Sequence, residues 1–152
     1  MFFLLFVLAL VAPPVAAPPD APAHTLPITV IAQGPLSDIV MSRQVVVRDA
    51  QAWQTLWQEH GVTRLPPPVD FSNAMVVGVF LGSRPEAGYR VGIARAYLDA
   101  GSLVVEYVVH KPEPGAMTAQ IVTAPYILVQ VPEHPGPVRF VQTDAAHAQR
   151  RR

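Results

Sequence analysis

Only one stretch of this chain repeats its apolar residues at helical spacing. From Asp49 to His60, Trp53, Leu56, Trp57 and His60 fall at i, i+3, i+4 and i+7, which is one face of a helix. Asp49 is a good N-cap, because its carboxylate can accept from free backbone N–H groups, and Gly61 is a natural stop. The spacing predicts a helix over Asp49–His60 with both tryptophans turned to the core; the alternative is that they form a ligand platform. Elsewhere the apolar residues lie in extended runs cut by glycine and proline, with no strand–helix–strand alternation. Six to eight strands with one helix make a mainly β domain of the α+β class, an antiparallel sandwich-like or barrel-like sheet.

The runs can be placed. Ile28–Ala32 reads as the first strand, broken by Gly34-Pro35, and Ile39–Val47 as the second. After a stiff connector, Pro66-Pro67-Pro68, Asp70-Phe71-Ser72 reads as a turn into the run Met75–Leu81. Tyr89–Leu98 and Leu103–Val109, joined by Asp99-Ala100-Gly101-Ser102, read as a hairpin. Leu103, Val105, Tyr107 and Val109 share one face; Tyr89, Val91, Ile93 and Tyr97 are expected to share the facing one, interrupted by Arg95. Gln120–Val131 carries Pro125 at its middle, which implies a bulge, an edge strand or two short strands. Val138–Val141 closes the domain.

Both ends differ from the middle. Met1–Ala12 is wholly apolar but too short for a bilayer span, which takes about 20 residues. It suits the apolar region of a signal peptide over residues 1–23, with cleavage before His24, although no Lys or Arg precedes it. An uncleaved anchor is the alternative. Residues 13–27 contain six prolines and read as a leader outside the core; residues 24–37 are taken as leader plus first strand. The domain proper is expected over residues 38–141, and residues 142–152 form a basic tail ending in three arginines. These features predict a periplasmic or secreted protein without stable membrane insertion after cleavage.

Composition excludes several chemistries. No cysteine is present, so there are no disulfides, thiol nucleophiles or thiolate metal sites. Lys plus Arg and Asp plus Glu both number 11, which gives no electrostatic reason to expect a nucleic acid partner. The five histidines, His24, His60, His110, His134 and His147, show no i+2 or i+4 pairing, so no metal site is expected. No Gly-x-Ser-x-Gly elbow, Gly-x-Gly-x-x-Gly or Walker loop occurs. His110 near Glu106 and Glu113 is the closest approach to a charged constellation, and reads as a strand end beside a solvated loop. No catalytic residue and no cofactor are expected.

One loop stands apart. Gly82-Ser83-Arg84-Pro85-Glu86-Ala87-Gly88-Tyr89 follows the apolar run and opens the next one. As a turn it uses glycine for φ freedom and proline for fixed φ. As a recognition loop it is stiffened by Pro85 and carries Arg and Tyr, residue types over-represented at binding hot spots. The candidate binding residues are Arg84, Pro85, Glu86, Gly88 and Tyr89. In the competing reading Tyr89 is the first inward residue of its strand and Arg84 is merely solvated.

Around this loop the chain resembles the PrcB-like family, named after an accessory subunit of a bacterial surface protease complex. The features occur in order over roughly residues 38–141. They are the helix with paired Trp53 and Trp57, then VDFSNAMVVGVFLG (Val69–Gly82), then the Arg84–Tyr89 loop, then KPEPG (Lys111–Gly115) and TAPY (Thr123–Tyr126). The family's usual loop has Thr-Gly where this chain has Glu86-Ala87. The resemblance implies an exported, non-catalytic module with a protein partner, an accessory or stabilising subunit of a protease complex. A second expectation comes from a likeness of style to chagasin-like inhibitors of cysteine proteases: the Ser83–Tyr89 loop would then enter a protease cleft.

Overall fold

The computed structural model describes residues 24–144; the apolar start, the cleavage site before His24 and the basic end from residue 145 lie outside them. Eight strands and one helix follow in the order β1 Thr25–Leu26, β2 Thr29–Gly34, β3 Arg43–Val47, α1 Ala50–Glu59, β4 Ala74–Phe80, β5 Arg90–Asp99, β6 Ser102–His110, β7 Tyr126–Pro132 and β8 Val138–Thr143. They form two four-stranded sheets, β1-β5-β6-β8 and β2-β7-β4-β3. The fold is a β-sandwich, as the extended runs predicted, and not a closed barrel. Every pair is antiparallel except β6 with β8. That exception arises because the chain crosses to the other sheet for β7 and returns.

The two sheets and the helix make three layers. Alternate residues of β4 face opposite ways: Met75, Val77 and Val79 pack between the sheets, while Val76 and Phe80 meet the helix. All seven positions of β4 are therefore buried, which is why this strand reads as a continuous apolar run rather than an alternating one. Gly78 lies on the helix-facing side, where a Cβ would come within 2.5 Å of the Leu128 side chain and 3.0 Å of Val45.

The helix forms where its spacing predicts. Asp49 Oδ1 accepts from Ala52 N at 2.8 Å, and Trp53, Leu56 and Trp57 are buried. The tryptophans are core and not a platform: their rings lie 5.1 Å apart. Their indole N–H groups donate to Pro67 O and Arg64 O, which fastens the proline connector to the helix. At the far end Gly61 has φ +85°, and a Cβ there would lie 2.1 Å from Asp38 Oδ2, so glycine is required.

Four expectations change. Thr25–Leu26 is a strand paired with Tyr97 and Ala96, and Leu26 packs against the core, so the leader ends sooner than the proline count suggested. The second run becomes a strand only from Arg43: Ile39 is buried under the helix, whereas Val40 and Met41 face outward. In β5 the register slips between Ile93 and Arg95. This bulge reverses the alternation, so Ala96 faces the core and Tyr97 turns outward with Arg95, onto Glu106. Finally, Pro125 does not sit within a strand. Thr123 makes an isolated bridge to Arg84, and β7 starts only at Tyr126.

Candidate functional site

One end of the sandwich gathers the Ser83–Tyr89 loop and its neighbours. Gly82 opens the loop with φ +73°, and a Cβ there would lie 2.6 Å from Ser42 N and 2.8 Å from Val40 O. That close approach lets Ser83 N donate to Val40 O at 2.9 Å. Next, Arg84 and Thr123 exchange two backbone bonds, of 2.7 and 2.9 Å, and Ala87 N donates to Ala119 O. Ala124 N donates to Pro35 O, which ties in the loop after β2. Segments 35–42, 82–89 and 116–124 are thus laced by main-chain bonds, which hold the loop by backbone pairing as well as by Pro85.

The predicted binding residues take different positions. Pro85 and Gly88 are exposed; Arg84, Glu86 and Tyr89 are half-buried. The Arg84 guanidinium lies over the Tyr89 ring, 5.7 Å from its centroid, and donates to Ser83 O. Glu86 faces the 116–124 segment: its carboxylate accepts from Thr118 Oγ1 and its carbonyl from Thr123 Oγ1. Positive φ falls on Gly88 at +98° and not on Ala87, so the Glu86-Ala87 pair fits this loop without backbone strain. The strained alanine is Ala100, φ 46°, in the β5–β6 hairpin, where it and Gly101 form a turn with both central φ values positive.

Tyr89 separates two open clefts. One, of about 490 Å³, is lined by Ser42, Gln44, Leu81, Arg84, Tyr107 and Lys111. The other, of about 660 Å³, is lined by Gln33, Pro35, Gly88, Gly92, His110 and Tyr126. Neither holds a set of convergent titratable groups. Among the described residues no group of three or more His, Cys, Asp or Glu side chains could hold a metal. Glu106, grouped with His110 by sequence, instead faces Arg95 and Tyr97, whose guanidinium and ring lie 4.4 Å apart. Burial and the neighbouring Glu106 carboxylate push the Tyr97 hydroxyl up.

Two features of this end escaped the sequence reading. The first is a crest of exposed apolar side chains on the laced loops: Leu36 at 65%, Val40 at 60%, Met41 at 77%, Ile121 at 56% and Val122 at 69% exposure. Exposed apolar groups gathered in one place mark interaction surfaces, whereas scattered ones do not. Val40-Met41 and Ile121-Val122 read as strand interior, and only their exposure shows that they face water. The second is His60, read as one more residue of the helix face. Its ring is 3% exposed, 2.7 Å from Ser37 Oγ through Nδ1, and 4.0 Å from the Tyr126 ring centre, while Nε2 has no hydrogen-bond partner. Burial holds its pKa below the ordinary value, against the opposing charge of Asp38. It fastens the helix end to the base of the crest, since Asp38 N donates to His60 O.

Residues 75–132 match the family model described as PrcB C-terminal. The match supports assignment of the chain to the PrcB-like family. It runs from β4 through β7, and so takes in the Ser83–Tyr89 loop and the 116–124 segment laced to it. It points to an accessory role associated with a protease complex in general, with a protein as partner. No curated protein and no solved structure matches the chain. No described helix is long and apolar enough to cross a membrane.

Proposed function

We propose that the protein is an exported, non-catalytic module that binds a protein partner, a component of a protease complex, through the laced loop end of its sandwich. The observation that carries this reading is the crest of Leu36, Val40, Met41, Ile121 and Val122, held in place by the backbone bonds among the three segments. A preorganised apolar surface loses little conformational freedom on binding. Arg84, Pro85, Glu86, Gly88 and Tyr89 lie on the loop that main-chain bonds lace to the segments carrying the crest. Export rests on the apolar start of the chain, with cleavage before His24.

Co-purification from the native envelope fraction, followed by a proteolysis assay on the complex, tests the reading. An accessory subunit co-purifies with a protease and preserves its turnover. Lowered turnover on adding the protein would favour an inhibitor acting through Ser83–Tyr89. A full-length N-terminus found by mass spectrometry in the membrane fraction would rule out cleavage before His24.

A further inference from the structure

The family match leaves β3 and α1 unexplained, and together they build a second surface. β3 pairs with β4 along Arg43–Val47 and ends the sheet there. Among the described residues, no backbone group of Arg43–Val47 has a partner other than β4. The N–H and C=O groups on the outer side are therefore an open row, complementary to another extended backbone. The helix α1 supplies the facing wall. Val45 and Val46 on the strand, with Ala52, Thr55 and Leu56 on the helix, line a groove of about 460 Å³. The Arg43–Glu59 ion pair lies at one end of it and Asp49 at the other.

The other sheet edges differ. β2 is interrupted by a register shift between Val30 and Ala32, with Pro27 and Pro35 close to its two ends. β1 has two residues. Among the described residues, no helix lies beside β8. Natural sheets blunt their edges with bulges, prolines and short strands; at β3 the edge is instead kept open and walled.

We propose that this groove accepts an extended peptide segment of a protein partner, which adds to the sheet as a fifth strand antiparallel to β3. Main-chain bonds to the open row would give affinity, and alternate side chains entering the groove would give selectivity. The floor of Val45 and Leu56 favours aliphatic side chains, and Ala52 leaves room for them. Arg43 and Glu59 neutralise each other, so the segment needs no charge. A second copy of this chain fits less well. Pairing two β3 edges would press the exposed polar flanks of two helices, Gln51, Thr55 and Glu59, against each other and take them out of water.

The test uses the full chain and a phage-displayed library of random twelve-residue linear peptides. Selected peptides should slow hydrogen exchange at the outward-facing amides of Arg43–Val47. Ala52→Trp, which fills the groove from an exposed helix position, should weaken them at least tenfold at an unchanged Tm; Thr55→Trp on the same wall replaces it if Tm falls. Met41→Glu, on the crest, should leave peptide binding within twofold, which separates this groove from the loop end. The proposal is overturned if no peptide is enriched or if enriched peptides ignore the groove variants. It is equally overturned if the outward amides are already protected in the free protein, as they would be in a dimer joined through β3.

Discussion

At the scale of single residues, stability rests on rings packed where the sheet meets the helix. Trp57 is 1% exposed, packs at a tilt against Trp53 and donates its N–H to Arg64 O. Trp57→Ala removes the ring, leaves a cavity and orphans a carbonyl, and should cost about 3–5 kcal/mol by denaturant unfolding. A near-neutral midpoint would mean that this face is exposed after all. His60 lends the same region a pH dependence. Its ordinary pKa is 6.5, and burial lowers it in the folded state. Between those two values the unfolded chain binds more protons, so stability falls as pH falls through that window and levels off below the folded pKa. Urea midpoints taken from pH 8 to pH 5 should show this decline, and His60→Gln should flatten it. Asp70 acts in a separate, lower window. Hydrogen bonds from Ser72 and Asn73 hold its pKa below 3.8, so its contribution is present above that value and fades as pH falls through the folded one. The helix face that holds Trp53, Trp57 and His60 was legible from spacing. The contact of His60 with Ser37 was not, because 23 residues separate the two and no local pattern links them.

Among the elements, legibility followed locality. α1 declares both ends through Asp49 and Gly61, and its buried stripe repeats within one helix. The hairpin of β5 and β6 was readable from its turn, but the bulge after Ile93 was not placed, although Arg95 interrupting the inward face and Gly92 within the run both mark the lost register. Everything beyond it changes face, which is why Tyr97 belongs to the outer polar cluster. The laced loops pose a similar problem, because strand-like runs such as Ile121-Val122 stay outside the sheets. Their exposure sets the choice of variants for a binding test. Met41→Glu with Ile121→Glu alters side chains that make no hydrogen bond in the fold. It should weaken partner binding by about 1 kcal/mol or more, the usual hot-spot threshold, and leave Tm nearly unchanged. Arg84→Ala with Glu86→Ala is a less clean probe, because Glu86 accepts from Thr118 and Arg84 rests on Tyr89. If binding survives the crest variant intact, the contact surface lies elsewhere.

Over the whole molecule, the first two described strands join the two sheets. β1 lies on the edge of β5, Pro27 ends it, and β2 continues on the edge of β7 in the opposite sheet. Between them Leu26 and Ile28 pack against the core that the sheets share. A proline-rich start had suggested a leader free of the fold. The core instead draws in its last residues, since two half-buried aliphatic side chains recover more than two short ladder pairs alone could. The proposed cleavage before His24 leaves this pair of strands intact. A chain beginning at His24 retains Thr25–Leu26 and should match the longer chain in urea midpoint. A chain beginning at Thr29 loses both aliphatic contacts and the pairing with Ala96 and Tyr97, and should be less stable by about 2–5 kcal/mol, given roughly 1–2 kcal/mol for each partly buried aliphatic side chain and up to about 1 kcal/mol for the lost pairing. Equal midpoints for the two would mean that β1 contributes nothing to stability. A deficit confined to the shorter chain would place the boundary of the folded unit at or before Thr25, where the apolar start and its small-residue stretch already end.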